Sequence, residues 1–232
     1  MGTADFDYDK FYPINIAAIA NTVLLVARAD APWNTMQDLL SHVQANPNKV
    51  KQYTSGPGSV PFTVNAMIGS LTKFDTIRIP FDGDGPAIAA LQGGHADIGF
   101  IASGAVIEHI KAGRLKALGV LSDKPYQGIP PMTDAPSVRN ITKYLPWGSW
   151  YGVFVRKETP DDVKAKLVAA FKKAADTPKY REFMAGRGTT ILNLSGAGAE
   201  QFIQRWQSTT AWLYQGAGVA KKNPAELGIA RP

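Results

Sequence analysis

Ser55-Gly56-Pro57-Gly58-Ser59 and Pro80-Phe81-Asp82-Gly83-Asp84-Gly85-Pro86 carry the architectural reading, together with Gly93-Gly94-His95-Ala96-Asp97-Ile98-Gly99-Phe100 further on. Each stretch lies where a strand pattern meets a helix pattern. Glycine permits positive φ and close backbone approach, so the first two turns can aim peptide N–H groups at a ligand where a helix begins. That is the chemistry of a small-anion receptor. No comparable set of nucleophile, base or metal ligands accompanies it, so binding outranks catalysis.

On either side of these turns, residues 21–27 read as a strand, and Pro32-Trp33-Asn34 precedes a helix over 36–44 with Thr35 and Asp38 as its capping pair. Residues 51–55 are strand-like, and 60–71 are helical with Phe62, Ala66 and Met67 inward. The alternation over 74–81 predicts a half-exposed strand. A helix follows to Leu91, then a strand over 96–101, a helix over 105–112 and a strand over 115–121. Strands alternating with short helices imply an α/β fold with a mostly parallel sheet, whose ligands sit at the carboxyl ends of strands.

The stretch 123–146 carries Pro125, Pro130, Pro131, Pro136 and Pro146 and reads as a connection between lobes. Beyond it come a strand over 150–155 and a helix to about 175 with Thr159 as N-cap and Pro160 at its first position. A helix over 179–185, a strand over 189–192 and an amphipathic helix over 199–216 follow, the last anchored by Phe202, Trp206, Leu213 and Tyr214.

At 232 residues with 45% hydrophobic and 19% charged side chains, the chain can bury a sizeable core, in one large domain or two small ones. The net charge of +6 is spread thinly, with no basic stretch interleaved with aromatics, which argues against nucleic acid. The absence of cysteine removes disulfides, thiolate metal sites and a cysteine nucleophile together. The longest apolar run, 14–27, is too short to cross a bilayer and reads as a buried strand pair. Met1-Gly2-Thr3-Ala4-Asp5 shows neither a basic n-region nor an apolar h-region, so no export signal is read there. His42, His95 and His109 have no ligand-like spacing. Trp147, Trp150, Trp206 and Trp212 read as hinge and core aromatics.

The order of these motifs resembles the tripartite tricarboxylate transporter receptors, also called the Bug or TctC-like family. The matching stretches are Asn46-Pro47-Asn48-Lys49-Val50, the Ser55 turn, Ile79-Pro80-Phe81-Asp82-Gly83, Leu91-Gln92-Gly93-Gly94-His95-Ala96-Asp97, Ala112-Gly113-Arg114-Leu115-Lys116-Ala117-Leu118, and Trp150-Tyr151-Gly152 followed by Thr159-Pro160. The resemblance implies a two-lobed Venus-flytrap fold of the periplasmic-binding-protein kind. It implies a periplasmic, monomeric receptor for a small mono-, di- or tricarboxylate or acidic amino acid, handed to a membrane permease by lobe closure. Under it the complete lobe runs over 24–147, and 1–23 with 148–232 belong to the other lobe, which is read as lacking its first part.

Two departures bear on the ligand. Val60-Pro61-Phe62 stands where many members carry His, and Phe81 replaces a frequent Tyr, deleting a hydroxyl. The residues set against the ligand are Ser55, Gly56, Gly58, Ser59, Phe81, Asp82, Gly83, Asp97 and Ser103. No catalytic residue, metal or cofactor is expected. Glycine turns by themselves also serve as ordinary strand–helix turns, Asp82 and Asp84 are natural turn formers, Asp97 equally starts a strand, and Ser103 equally caps a helix. A carboxylate ligand would be repelled by Asp82 and Asp84 unless they point away or bind an amino group on it. The rival readings are a metabolite-sensing effector domain of a regulator with the same fold and an enzyme on that fold; the latter needs an acid–base set that the sequence does not offer.

Overall fold

The computed structural model describes residues 8–232. The segment 1–5, read above for an export signal, lies outside the described residues. In chain order the elements are β1 (Phe11–Ala20), β2 (Val23–Arg28), α1 (Met36–Ala45), β3 (Lys51–Thr54), α2 (Val60–Gly69), β4 (Ile77–Pro80), α3 (Asp84–Gln92) and β5 (Ile98–Ala102). There follow α4 (Ser103–Lys111), β6 (Leu115–Val120), β7 (Ser149–Arg156), α5 (Asp161–Ala175), α6 (Pro178–Gly186), β8 (Thr190–Leu194) and α7 (Ala197–Gly216). They form two compact units. One holds the described residues up to Ala20 with Gly148–Gln215 and Ala220–Pro232; the other holds Asn21–Trp147 with Gly216–Val219.

The apolar run expected as a strand pair is two strands that do not pair with each other. Asn21 and Thr22 separate β1, which lies in a β7-β1-β8 sheet, from β2, which lies in a β4-β3-β5-β2-β6 sheet. Ile14, Ile16 and Ala18 of β1 and Val23 to Ala27 of β2 are fully buried, which accounts for the continuous apolar reading.

In the second unit β3 runs parallel to both β4 and β5, while β2 runs antiparallel to β5 and β6. Four of the five strands therefore run the same way, as expected, and the single reversed strand, β2, is inserted between β5 and β6. Its sequence is apolar at every buried position, so periodicity cannot report its direction. Helix α1 begins with the expected box: Asp38 N–H donates to Thr35 Oγ1 at 3.1 Å, and Thr35 N–H donates to the Asp38 carboxylate at 3.0 Å. Met36, Leu39, Leu40 and Val43 form its buried stripe, each contributing about 1.5–3 kcal/mol relative to exposure. On α2, Ala66 and Met67 are buried as expected, whereas Phe62 is only half-buried.

The proline-rich 123–146 stretch is not a bare connection. Two 3₁₀ turns, Met132–Asp134 and Pro136–Tyr144, fold it onto the second unit, with Met132, Val138 and Ile141 fully buried. Proline opens such turns at no hydrogen-bonding cost, so the composition reads as loop while the apolar residues between serve as core.

In the first unit β1 pairs antiparallel with β7 and β8. Trp150 lies edge-on to Phe202 and Trp206, at 6.2 Å from each. The Trp206 indole N–H donates to the Gly148 carbonyl at 3.0 Å. Helix α5 starts at Asp161, with Pro160 in the capping position and Thr159 in the preceding turn, one residue later than expected. Its two aspartates still face the positive end of the helix dipole.

Candidate functional site

Strands β4, β3 and β5 lie side by side and run the same way, so their carboxyl ends share one edge of the sheet. At that edge β3 feeds the 55–59 loop into α2, β4 feeds residues 81–83 into α3, and β5 passes directly into α4 at Ser103. Eight of the nine sequence-derived residues gather there: Ser55, Gly56, Gly58, Ser59, Phe81, Asp82, Gly83 and Ser103. The ninth, Asp97, does not. It precedes β5, and its carboxylate accepts from Lys51 N–H at 2.8 Å and contacts Arg28 Nε at 3.2 Å. Lys51 opens β3 and Arg28 closes the reversed β2, so Asp97 ties three strands together at the opposite edge.

The 55–59 loop closes on itself through Ser59 N–H donating to the Gly56 carbonyl at 3.2 Å. Ser59 is the N-cap of α2, its hydroxyl accepting from Phe62 N–H at 3.4 Å. Gly58 sits at φ +88°, a region L side chains rarely adopt. Among the described residues the N–H groups of Gly56, Gly58 and Val60 have no backbone acceptor, which leaves donors at a helix N-terminus free for an anion. Val60, Pro61 and Phe62 form the first turn of α2.

The second loop is more constrained. Gly83 caps α3 at φ 101° and ψ −178°, a backbone region essentially confined to glycine. Its N–H donates to the Phe81 carbonyl at 3.0 Å, while Phe81 N–H donates to the Thr54 carbonyl at 3.0 Å, tying this loop to the end of β3. Asp82 is exposed. Ser103 is 1% exposed and is the first residue of α4, with its N–H donating to the Thr22 carbonyl at 2.9 Å.

Beneath the loops lies a pair that sequence reasoning does not single out. Tyr53, 1% exposed, donates its hydroxyl to Asp84 Oδ1 at 3.2 Å. The Tyr53 ring packs on Phe81 at 6.1 Å and against Gly99, where an added Cβ would lie 3.2 Å from two Tyr53 atoms. Burial raises the Tyr53 hydroxyl above its ordinary pKa; a hydrogen bond with Ser55 opposes this, and the Asp84 charge reinforces it. Burial likewise raises the Asp84 carboxyl, with the Tyr53 hydrogen bond pulling it back. The Tyr53–Asp84 hydrogen bond thus ties the end of β3 to the start of α3. A large polar residue shortly before a glycine turn, facing a glycine on the neighbouring strand, is the available signal.

The family model described as "Tripartite tricarboxylate transporter family receptor" matches residues 4–217. A UPF0065 protein of Bordetella pertussis is 29% identical over 214 residues, covering 92% of this chain. The chain spans 65% of that protein's length. Among solved structures, "Structure of periplasmic binding protein BugD" superposes with a TM-score of 0.80 at 25% identity, over 91% of this chain and 71% of the other. MatC of Rhodopseudomonas palustris, solved with bound malate, shares the fold with a TM-score of 0.78 at 23% identity, over 94% of this chain and 73% of the other.

Proposed function

The chain belongs to the tripartite tricarboxylate transporter receptor family, a family of solute-binding proteins rather than enzymes with the α/β fold of periplasmic binding proteins, and we propose that it binds a small carboxylate at the loop-bearing edge of its second unit. The observation that carries the reading is the convergence of the 55–59 loop, residues 81–83 and the start of α4 on one sheet edge, with the amides of Gly56, Gly58 and Val60 lacking a backbone acceptor. Open α/β sheets bind ligands at this edge, and amides at a helix N-terminus suit a carboxylate without any lysine or arginine. The Ser55 and Ser59 hydroxyls stand in the same loop as further polar groups.

Receptors of this kind act by population shift: the ligand stabilises a closed form, which a membrane permease outside the cytoplasm then recognises. For this chain the permease, the extracytoplasmic setting and the delivery step are parts of the proposal. A thermal-shift and calorimetric titration of the whole chain with succinate, malate, adipate and citrate tests it. Saturable binding of at least one acid, weakened by Gly58→Val, supports the reading. A flat response to all four acids contradicts it.

A further inference from the structure

Residues 220–232 lie beyond the stretch matched by the family model, and they fold back along α7 within the first unit. Hydrogen bonds clip this segment to the helix at both ends. Ala220 N–H donates to the Tyr214 carbonyl at 3.1 Å and the Ser208 hydroxyl to the Ala230 carbonyl at 2.6 Å. The Trp212 indole N–H donates to the Ile229 and Ala230 carbonyls at 3.1 and 2.9 Å, and the Arg231 guanidinium lies 4.4 Å over the Trp212 ring. Between the clips Asn223 caps a 3₁₀ turn over Pro224–Leu227, its side chain accepting from Ala225 N–H at 3.1 Å. A surface loop held in this way makes a fixed wall for a ligand.

Between the loop and α7 lies an open recess of about 240 Å³, walled by Trp206, Thr210 and Tyr214 of the helix and by Pro224, Leu227 and Ile229 of the loop. The Trp206 indole N–H is spent on the Gly148 carbonyl and the Thr210 hydroxyl on the Trp206 carbonyl, so the lining is mainly apolar. Leu227 is left 54% exposed in it. Two polar groups complete the lining, Lys222 and Gln207. Among the described residues no acid lies within ion-pairing distance of the Lys222 ammonium. Gln207 accepts from the Tyr8 hydroxyl through Oε1, which leaves its amide NH₂ as a donor.

We propose that this recess is a second binding site, for a compact apolar monoanion: one ring or branched chain carrying a single carboxylate or similar group. An apolar cavity of about 150 Å³ admits benzene, so the larger recess holds a ring with a short acid arm. The apolar body covers Leu227 against Trp206, and the anion meets Lys222 and the Gln207 amide. Lys222 disfavours a cation, and a dianion would leave its second charge on an apolar wall without a partner. The recess belongs to the first unit and shares no residue with the carboxylate site proposed above, so either stands without the other.

The test titrates the whole chain with phenylacetate and with neutral phenylacetamide, by calorimetry and nitrogen-15 correlation spectra. Phenylacetate is expected to saturate, to shift the Trp206 indole N–H and the Leu227 and Ile229 amides, and to bind about two- to fivefold more tightly than phenylacetamide. Lys222→Gln erases that difference, Leu227→Ala weakens both compounds by about fivefold, and Gly58→Val changes neither. Leu227 is exposed, so its replacement spares the fold, which thermal melting of each variant checks. No saturable shift at the recess, shifts confined to the 55–59 loop, or affinities indifferent to Leu227→Ala overturn the site. Phenylacetamide bound as tightly as phenylacetate overturns the choice of an anion. Succinate and malate titrated on the same samples read the carboxylate site separately.

Discussion

Two glycines two residues apart should respond to alanine with opposite signs. At Gly83 an added Cβ meets no atom within 4 Å, so the cost of Gly83→Ala is purely conformational. The backbone at φ 101° and ψ −178° lies in the glycine-only region, which costs an L residue about 1–3 kcal/mol. Loss of glycine's freedom in the unfolded chain returns about 0.4–1 kcal/mol, leaving a net destabilisation of about 1–2 kcal/mol. For a chain of this size that is a fall in Tm of about 3–6 °C. Gly85, in the first turn of α3, also has nothing within 4 Å but no positive φ. There the unfolded-state gain and better helix propensity both act, and Gly85→Ala should stabilise by about 0.5–1 kcal/mol. Urea denaturation with unchanged m-values measures both. A Gly83→Ala protein as stable as the parent would refute the strained-cap geometry on which the second loop depends.

Other outcomes follow from the same structure. Gly99→Ala pushes a Cβ to 3.2 Å from the locked Tyr53 ring and should cost about 1–3 kcal/mol by urea denaturation; a neutral result would show the ring free to move. Asp84 is raised in the folded state by burial, so the fold holds its proton to higher pH than the unfolded chain does, and stability declines as pH rises from the ordinary carboxylate value through the raised one. Asp84→Asn abolishes that decline, so its stability relative to the parent should grow from acid toward neutral pH; a relative stability that shrinks over that range contradicts the burial. Helix α6 buries no residue and α5 only Ala175, whereas α1 buries four. Deuterium uptake should accordingly be faster in α5 and α6 than in α1 and β2, and equal rates would contradict the packing.

Much of the second unit is legible in the sequence because its elements are amphipathic and punctuated: the Thr35–Asp38 box and the glycine turns mark helix starts by local chemistry alone. Strand direction is not legible, because β2 is apolar on both faces and a buried strand looks the same in either sense. The turns at 132–144 are hidden by proline, which signals loop even where Val138 and Ile141 fill a core. Of the site, the loop residues are readable from glycine placement, whereas Asp97, which the pattern leaves equally as a ligand contact or a strand start, takes the second place at the opposite edge of the sheet. An aspartate three residues after a glycine pair carries no information about what it serves until the strand register is known. Tyr53 escapes for the converse reason: its role exists only through pairing of β3 with β4 and β5, which brings Asp84 and Gly99 to it.

If the amides of the 55–59 loop receive a carboxylate, they should report it directly. Nitrogen-15 correlation spectra of the labelled chain, titrated with L-aspartate, malate and succinate in turn, observe those amides individually. Saturable shifts are expected at Gly56, Gly58 and Val60, with Gly83 following, for at least one of the acids. Saturable shifts confined to other regions, or none at any concentration of the three acids, would contradict the assignment of the site.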